Sequence, residues 1–199
     1  MARPKEFDRE KALRKAIRLF SQKGFAATST DELMCVMDVG RQSMYDTFGD
    51  KRALFLEALE MYVMESVNSI NAELEKPGSA ISAIRNALVT FAERKDLSSE
   101  EGCMGLNSIC EFGQRDADVM RITSNAGRRQ RKTLMRVLIK ARKQREIRSD
   151  ADLDSMADFL ESTLAGIRMA AKAGKSRQAL QNIAAVAGTA FRHAVPRNR

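Results

Sequence analysis

The chain has 199 residues, 44% hydrophobic and 30% charged, with 34 Lys and Arg against 26 Asp and Glu for a formal net charge of +8. That length allows one domain or two small ones, the apolar fraction suffices for an ordinary core without staples, and the cationic surplus favours an anionic partner without choosing among nucleic acid, acidic lipid and acidic protein. Cys35, Cys103 and Cys110 are an odd number without metal-ligand spacing and His193 is the one histidine, which argues against a disulfide framework, a zinc site and any His-centred triad.

No apolar run is long enough to span a bilayer, and Met-Ala-Arg-Pro-Lys-Glu-Phe-Asp lacks the apolar core of a signal peptide, so no membrane association and a cytoplasmic location are expected. Asp8 to Lys23 is predicted as the first helix. Leu13, Ala16, Ile17 and Phe20 form its buried stripe at i, i+3, i+4 and i+7, and Gly24 ends it. Its basic residues and the Arg3-Pro-Lys5 arm would suit phosphate or minor groove, or simply a solvated face.

Ser29 to Lys51, STDELMCVMDVGRQSMYDTFGDK, reads as two short helices and a turn. Leu33, Val36 and Met37 make one apolar edge, and Met44, Tyr45 and Phe48 the next. Ser29 and Glu32 have the spacing of a capping box. Asp38 tolerates a left-handed backbone and Gly40 almost any, which permits a sharp turn between the helices. That is a helix-turn-helix pattern, whose second helix enters the major groove with its N-terminal residues against base edges. Arg41 suits guanine O6/N7 and Gln42 suits adenine N6/N7, each through two hydrogen bonds. Ser43, Tyr45, Thr47 and Lys51, with Thr30 opening the first of the two helices, offer hydroxyls and a charge to the DNA backbone.

Asp50 is expected to cap a long helix carrying Leu54, Ala58, Leu59, Tyr62, Val67 and Ile70 inward and ending before Pro77-Gly78. Ser79 to Lys95 is amphipathic through Ile81, Ile84, Leu88 and Phe91. A polar loop, Asp96 to Glu101, precedes the short segment Gly102 to Gln114, which puts Cys103, Leu106, Asn107 and Cys110 on one face. Asp116 to Glu146 is long and basic, with Leu134, Leu138 and Ala141 opposite the charges. Its charged face is either solvated or a contact for an acidic partner or a second stretch of nucleic acid. Ala151 to Ala173 and Ser176 to Ala194 join at Gly174. Their stripes are Leu153, Met156, Ala157, Leu160, Leu164 and Ile167, and Leu180, Ile183, Ala187, Ala190 and Phe191. Ala165-Gly166 and Ala184-Ala185 through Gly188 would let two copies pack as a four-helix seam, unless both stripes serve the chain's own core.

Gly24-Phe25-Ala26-Ala27-Thr28-Ser29, then Leu33, Val39, Met44-Tyr45, Phe48, Lys51 and Leu54, resemble the N-terminal DNA-binding domain of TetR-type (TetR/AcrR) bacterial transcriptional regulators. The chain departs from the family pattern at Met37-Asp38-Val39, where Ala-Gly-Val is usual, at Gln42, where a small residue is common, and at Thr47-Phe48, in place of Tyr-Phe or His-Phe. These differences bear on which bases are read. The resemblance implies an all-α chain with an N-terminal three-helix helix-turn-helix domain over 1–51, and a helical-bundle ligand-binding and dimerisation domain over 52–199. It also implies a homodimer through 151–194, a palindromic double-stranded operator, and release of a repressor by a small-molecule effector, with the long fourth helix linking the two domains. Palindrome reading itself asks for two motifs about one helical turn of DNA apart, roughly 34–36 Å.

No catalytic constellation can be assembled and no cofactor is expected. Candidates for an effector pocket are Tyr62, Phe91, Cys103, Met104, Asn107, Phe112, Met120, Phe159 and Met169, all of which are equally ordinary core residues. Gly102-Cys103 with Asn107 and Glu111 is similar to a segment in a subset of the family, some of whose members respond to electrophiles or oxidants through a cysteine. Cys103 and Cys110 lie about 10.5 Å apart by helical rise, too far for an internal bridge. That leaves modification, an intersubunit link, or an inert buried thiol. The competing class is a basic helical interaction protein that binds acidic partners or membrane surface without operator specificity.

Overall fold

The computed structural model describes residues 7–94, 103–113 and 115–191. Among them are nine helices, α1 Arg9–Lys23, α2 Thr30–Met37, α3 Arg41–Phe48, α4 Lys51–Leu74, α5 Ala80–Ala92, α6 Met104–Phe112, α7 Ala117–Lys143, α8 Leu153–Lys172 and α9 Arg177–Ala190, and no strand. The Arg3-Pro-Lys5 arm, the Asp96 to Glu101 loop, Gly102 and His193 lie outside the described residues. By packing the chain forms two compact units, Met1–Met64 with Glu101–Ser124, and Glu65–Glu100 with Asn125–Arg199. The division between these units falls inside α4 and α7.

In the first unit, Asp8 caps α1 by accepting from the Lys11 N–H at 3.1 Å, and Gly24 closes it at φ 80°. Ser29 Oγ accepts from the Glu32 N–H at 3.1 Å while Glu32 Oε2 accepts from the Ser29 N–H at 2.9 Å, completing the capping box. Asp38 takes the left-handed conformation, φ 60° and ψ 48°, whereas Gly40 is ordinary extended backbone at the start of α3. Leu33, Met37, Met44 and Phe48 point inward with Phe20, Leu54, Phe55, Ala58 and Leu59. Val36 and Tyr45, expected on the apolar edges, are instead 36% and 41% exposed. Each sits one position round its helix from a residue that already fills the small core.

The same unit holds α6 and the start of α7. Asn107, buried in α6, donates its Nδ2 to the carbonyls of Ser21 at 2.8 Å and Phe20 at 3.4 Å in the last turn of α1. Glu111 accepts from the N–H groups of Phe25 at 2.8 Å and Ala26 at 3.4 Å. Arg52 grips Asp116 through two nitrogens at 2.7 and 3.0 Å and reaches Asp118 at 3.0 Å. The rings of Phe25, Phe55 and Phe112 pack mutually in tilted pairs, with centroids 4.9 to 5.6 Å apart. Cys103 is buried as the N-cap of α6, whereas Cys110, placed on the same face by sequence, is exposed.

Two carboxylates here make the fold acid-sensitive. The Lys23 ammonium, then the Ser29 N–H and hydroxyl, hold Glu32 at about 2 against an ordinary 4.5. Arg52 holds Asp116 at about 2 against 3.8. Because both folded values are depressed, their contribution is complete above the unfolded values and lost as pH falls through the window from about 4.5 to about 2. Glu32→Gln keeps a capping acceptor but not the charge that Lys23 meets. An acid titration followed by far-ultraviolet circular dichroism should show a shallower loss of stability in that window than in the wild type.

In the second unit, Ser79, Asp152 and Ser176 cap α5, α8 and α9 with their side chains. The side chains of Gln144 and Glu146 accept from the Ala80 and Ile81 N–H groups at 3.2 and 3.0 Å, fixing the start of α5 against the end of α7. Ile84, Leu88 and Phe91 of α5 pack with Leu134 and Leu138 of α7, Leu160, Leu164 and Ile167 of α8, and Leu180 and Phe191. α9 lies against both α5 and α8. Gly188 and Ala184, expected on an intersubunit seam, face inward. A Cβ on Gly188 would come within 3.0 Å of Arg85 Cγ, so the small residue serves helix contact inside the chain. Phe159, Met169, Ile183 and Val186 are the large apolar side chains that α8 and α9 leave exposed, at 42%, 50%, 38% and 69%. No described helix is long and apolar enough to cross a membrane.

Candidate nucleic-acid interface

α3 is locked from below and open from above. Met44 and Phe48, buried at 0% and 5% exposure, fix its rotation against α2 and α4. That rotation turns Arg41, Gln42 and Tyr45 outward, with Ser43 and Thr47 half-buried at its flanks. Arg41 Nη2 lies 2.7 Å from Asp31 Oδ1, and Gln42 Nε2 donates to Asp46 Oδ1 at 2.8 Å. The Arg41 and Asp31 side chains are 61% and 77% exposed. Such a pair contributes about 0–1 kcal/mol, little enough for a guanine edge to displace the carboxylate. Thr30 opens α2, half-buried, beside the Ser29 cap.

Lys51 opens α4 with its Nζ 4.3 Å from the centre of the Phe25 ring. Phe25 thus holds the ammonium in place without neutralising it. Lys51→Ala should weaken binding evenly on all DNA sequences and flatten the dependence of log K on log salt by about 1, the signature of one lost phosphate contact. Titrations of a specific and a random duplex over a series of salt concentrations measure both.

The nine effector-pocket candidates are divided between the two units. Tyr62, Cys103, Met104, Asn107, Phe112 and Met120 belong to the first unit, and Phe91, Phe159 and Met169 to the second. Met104 and Phe91 are core at 0% and 2% exposure, while Phe159 and Met169 face solvent. Asn107 is occupied by the α1 carbonyls, and Cys103 Sγ accepts from the Leu106 N–H and the Tyr62 hydroxyl, both at 3.5 Å. Two open clefts of about 450 and 370 Å³ in the second unit are lined by none of the nine.

A capped helix-turn-helix with a polar, outward N-terminal edge on its second helix, built into an all-helical chain, defines a DNA-binding transcriptional regulator. Comparison places it further. Residues 12–58 match the family described as bacterial regulatory proteins, tetR family, and residues 78–187 match the tetracyclin repressor-like C-terminal domain. The chain belongs to the TetR family. It is 30% identical over 184 residues to YezE of Bacillus subtilis (strain 168), an uncharacterized HTH-type transcriptional regulator, covering 92% of this chain and 95% of that one. It is 28% identical over 194 residues to the HTH-type transcriptional repressor ComR of Escherichia coli (strain K12), covering 96% and 90%. Its fold matches that of a cysteine mutant of the TetR family regulator CifR, solved with a 26bp double-strand operator, at a TM-score of 0.76 and 24% identity over 98% and 100% of the two chains.

Proposed function

We propose that the protein is a cytoplasmic, dimeric repressor that reads a palindromic operator through α3 and leaves it when a small molecule binds the C-terminal helices. The observation that carries this reading is the outward row Arg41, Gln42 and Tyr45 on a helix whose opposite side is pinned by Met44 and Phe48. Arg41 and Gln42 read bases, and Thr30, Ser43, Tyr45, Thr47 and Lys51 hold the backbone. The repressor names of ComR and of the E. coli relative BdcR support the sign of regulation, and the operator bound to CifR supports the partner. The apolar face of α8 and α9 supports the dimer.

An effector that favours the non-binding arrangement by about 3 kcal/mol weakens operator affinity by roughly two orders of magnitude. A small molecule is preferred to thiol modification as the trigger because Cys103 is 2% exposed and engaged as a helix cap. Selection of bound sequences from a random DNA pool at physiological salt, followed by footprinting, tests the reading. Recovery of a two-fold symmetric site is expected. Binding without sequence preference would leave only a basic helical protein with affinity for polyanions.

A further inference from the structure

We propose that the cleft between the end of α4 and the middle of α7 is a binding site for a small phosphate monoester whose carbon skeleton carries free hydroxyls. The cleft has a volume of about 450 Å³ and is lined by Asn68 and Asn71 from α4, by Glu75 just after its end, and by Arg129, Lys132, Thr133 and Arg136 from α7. That size lies within the range of small-molecule sites, about 300–1,000 Å³. An adjoining hollow shares Glu75, Thr133 and Arg136 and brings Lys140 to the same side. On α7 the four cations, Arg129, Lys132, Arg136 and Lys140, follow one another at intervals of three and four residues, so they share one helical face.

The charges are not interchangeable. Arg136 is matched by Glu75 at 2.5 Å and also donates to Thr133 Oγ1 at 3.0 Å. Arg131, elsewhere on the helix, is taken up by Asp154, Asp158 and Glu161 of α8. Arg129 and Lys132 have no carboxylate partner among the described residues, and Glu75 is the one acid on the wall. Two uncompensated cations in the cleft balance a dianion, which a phosphate monoester is near pH 7, with a charge of about −1.5 to −2. A carboxylate would leave one of them unmatched.

The wall also holds a hydrogen-bond acceptor in search of a donor. Asn71 is 8% exposed, and its Oδ1 is the one buried side-chain oxygen or nitrogen without a hydrogen-bond partner among the described residues. Buried polar atoms are nearly always paired, and a lone acceptor calls for a group that donates. Phosphate oxygens without protons cannot do so. A hydroxyl on the same ligand can, after the amide turns about χ2 toward the cleft. A phosphorylated polyol or sugar supplies both functions within the length of one small molecule, and its headgroup equivalent in a lipid supplies them at a membrane surface. A concave site with a buried amide favours the free molecule.

The test is calorimetric titration of the intact, DNA-free protein with glycerol 3-phosphate, ribose 5-phosphate and glucose 6-phosphate, against inorganic phosphate and glucose at matched ionic strength. At least one ester should saturate one site per chain, at least tenfold more tightly than inorganic phosphate, with no binding of glucose. Joint replacement Arg129→Gln and Lys132→Gln, at exposed positions, should weaken that ester at least tenfold. Asn71→Leu, which keeps the branched shape of the side chain without its polar atoms, should bring the ester down to the affinity of inorganic phosphate and leave the latter unchanged. If Asn71→Leu does not fold, the glutamine pair decides alone. The proposal is overturned if no ester saturates, if ester and inorganic phosphate bind alike, or if the glutamine pair changes nothing. It is also overturned if vesicles of phosphatidylcholine with phosphatidylglycerol retain the protein while the free esters do not bind. Because DNA is absent from the assay, its failure leaves operator recognition standing, and a failure of operator recognition leaves this site standing.

Discussion

Aspartate at Met169 and Val186 together should give a folded monomer whose operator affinity falls by at least two orders of magnitude. Both side chains face solvent, at 50% and 69% exposure, so their replacement removes no core contact. Exposed substitutions of this kind usually change stability by no more than about 0.5 kcal/mol. Yet α8 and α9 together display Phe159, Met169, Ile183 and Val186, whereas the stripes beneath them, Leu160, Leu164, Ile167, Leu180 and Ala187, are already buried. An apolar face left over after a complete core marks an interaction surface. In a two-fold dimer the same patch meets itself, so the seam receives the added carboxylates of both copies, desolvated against apolar side chains with no cation to meet them. A monomer then holds one half-site without the high effective concentration that the second reading head enjoys in a dimer, a difference of about 10²–10⁴ in overall affinity. Sedimentation velocity, thermal melting and gel shift on one preparation separate the effects. A variant that stays dimeric, or a wild type already monomeric at working concentration, would remove this face from the dimer.

The parts of the fold written within a few residues of themselves were open to sequence reasoning. Ser29 and Glu32 are three residues apart, Asp38 carries its own tolerance of a positive φ, and Met44 with Phe48 make a single helical step. Each names its local geometry without knowledge of the rest of the chain. What escaped was any polar group whose partner is distant. Nothing around Asn107 says that its amide serves Phe20 and Ser21, 87 and 86 residues earlier, or that Glu111 serves the backbone after Gly24. Gly24 itself shows the difficulty. It was legible as the end of α1, but a Cβ there would also run into the Glu111 carboxylate, a constraint that belongs to α6.

The basic helix divides in the same way. Its charges were countable, but only folding distinguishes Arg131, matched by three acids of α8, from Arg129 and Lys132 in an open cleft. Small residues divide as well, with Ala165, Gly166 and Ala185 exposed and Ala184 and Gly188 buried. Gly188 and Ala184 do permit close helix approach, and the helices that approach are within the chain.

Arg41→Ala should cost about 1–3 kcal/mol per half-site on the true operator, and much less on random DNA. The fold gives this residue little structural duty, since its one described partner is the exposed carboxylate of Asp31. Truncation should therefore leave the melting temperature nearly unchanged, and the loss in binding reports contact with DNA alone. Arg41→Lys refines the test, because it keeps the charge and gives up the planar fork that bonds two acceptors of one guanine. If Arg41 reads a base, lysine should fall well short of wild type on the operator while matching it on random DNA. If Arg41 only meets phosphate, lysine should restore most of the affinity on both, and alanine should weaken both equally. Asp31→Ala supplies the opposite arm. With the competing carboxylate gone, Arg41 no longer exchanges one partner for another on docking, and affinity should stay level or rise. A fall would mean that Asp31 holds the guanidinium in its reading position, and that the ion pair persists on the DNA.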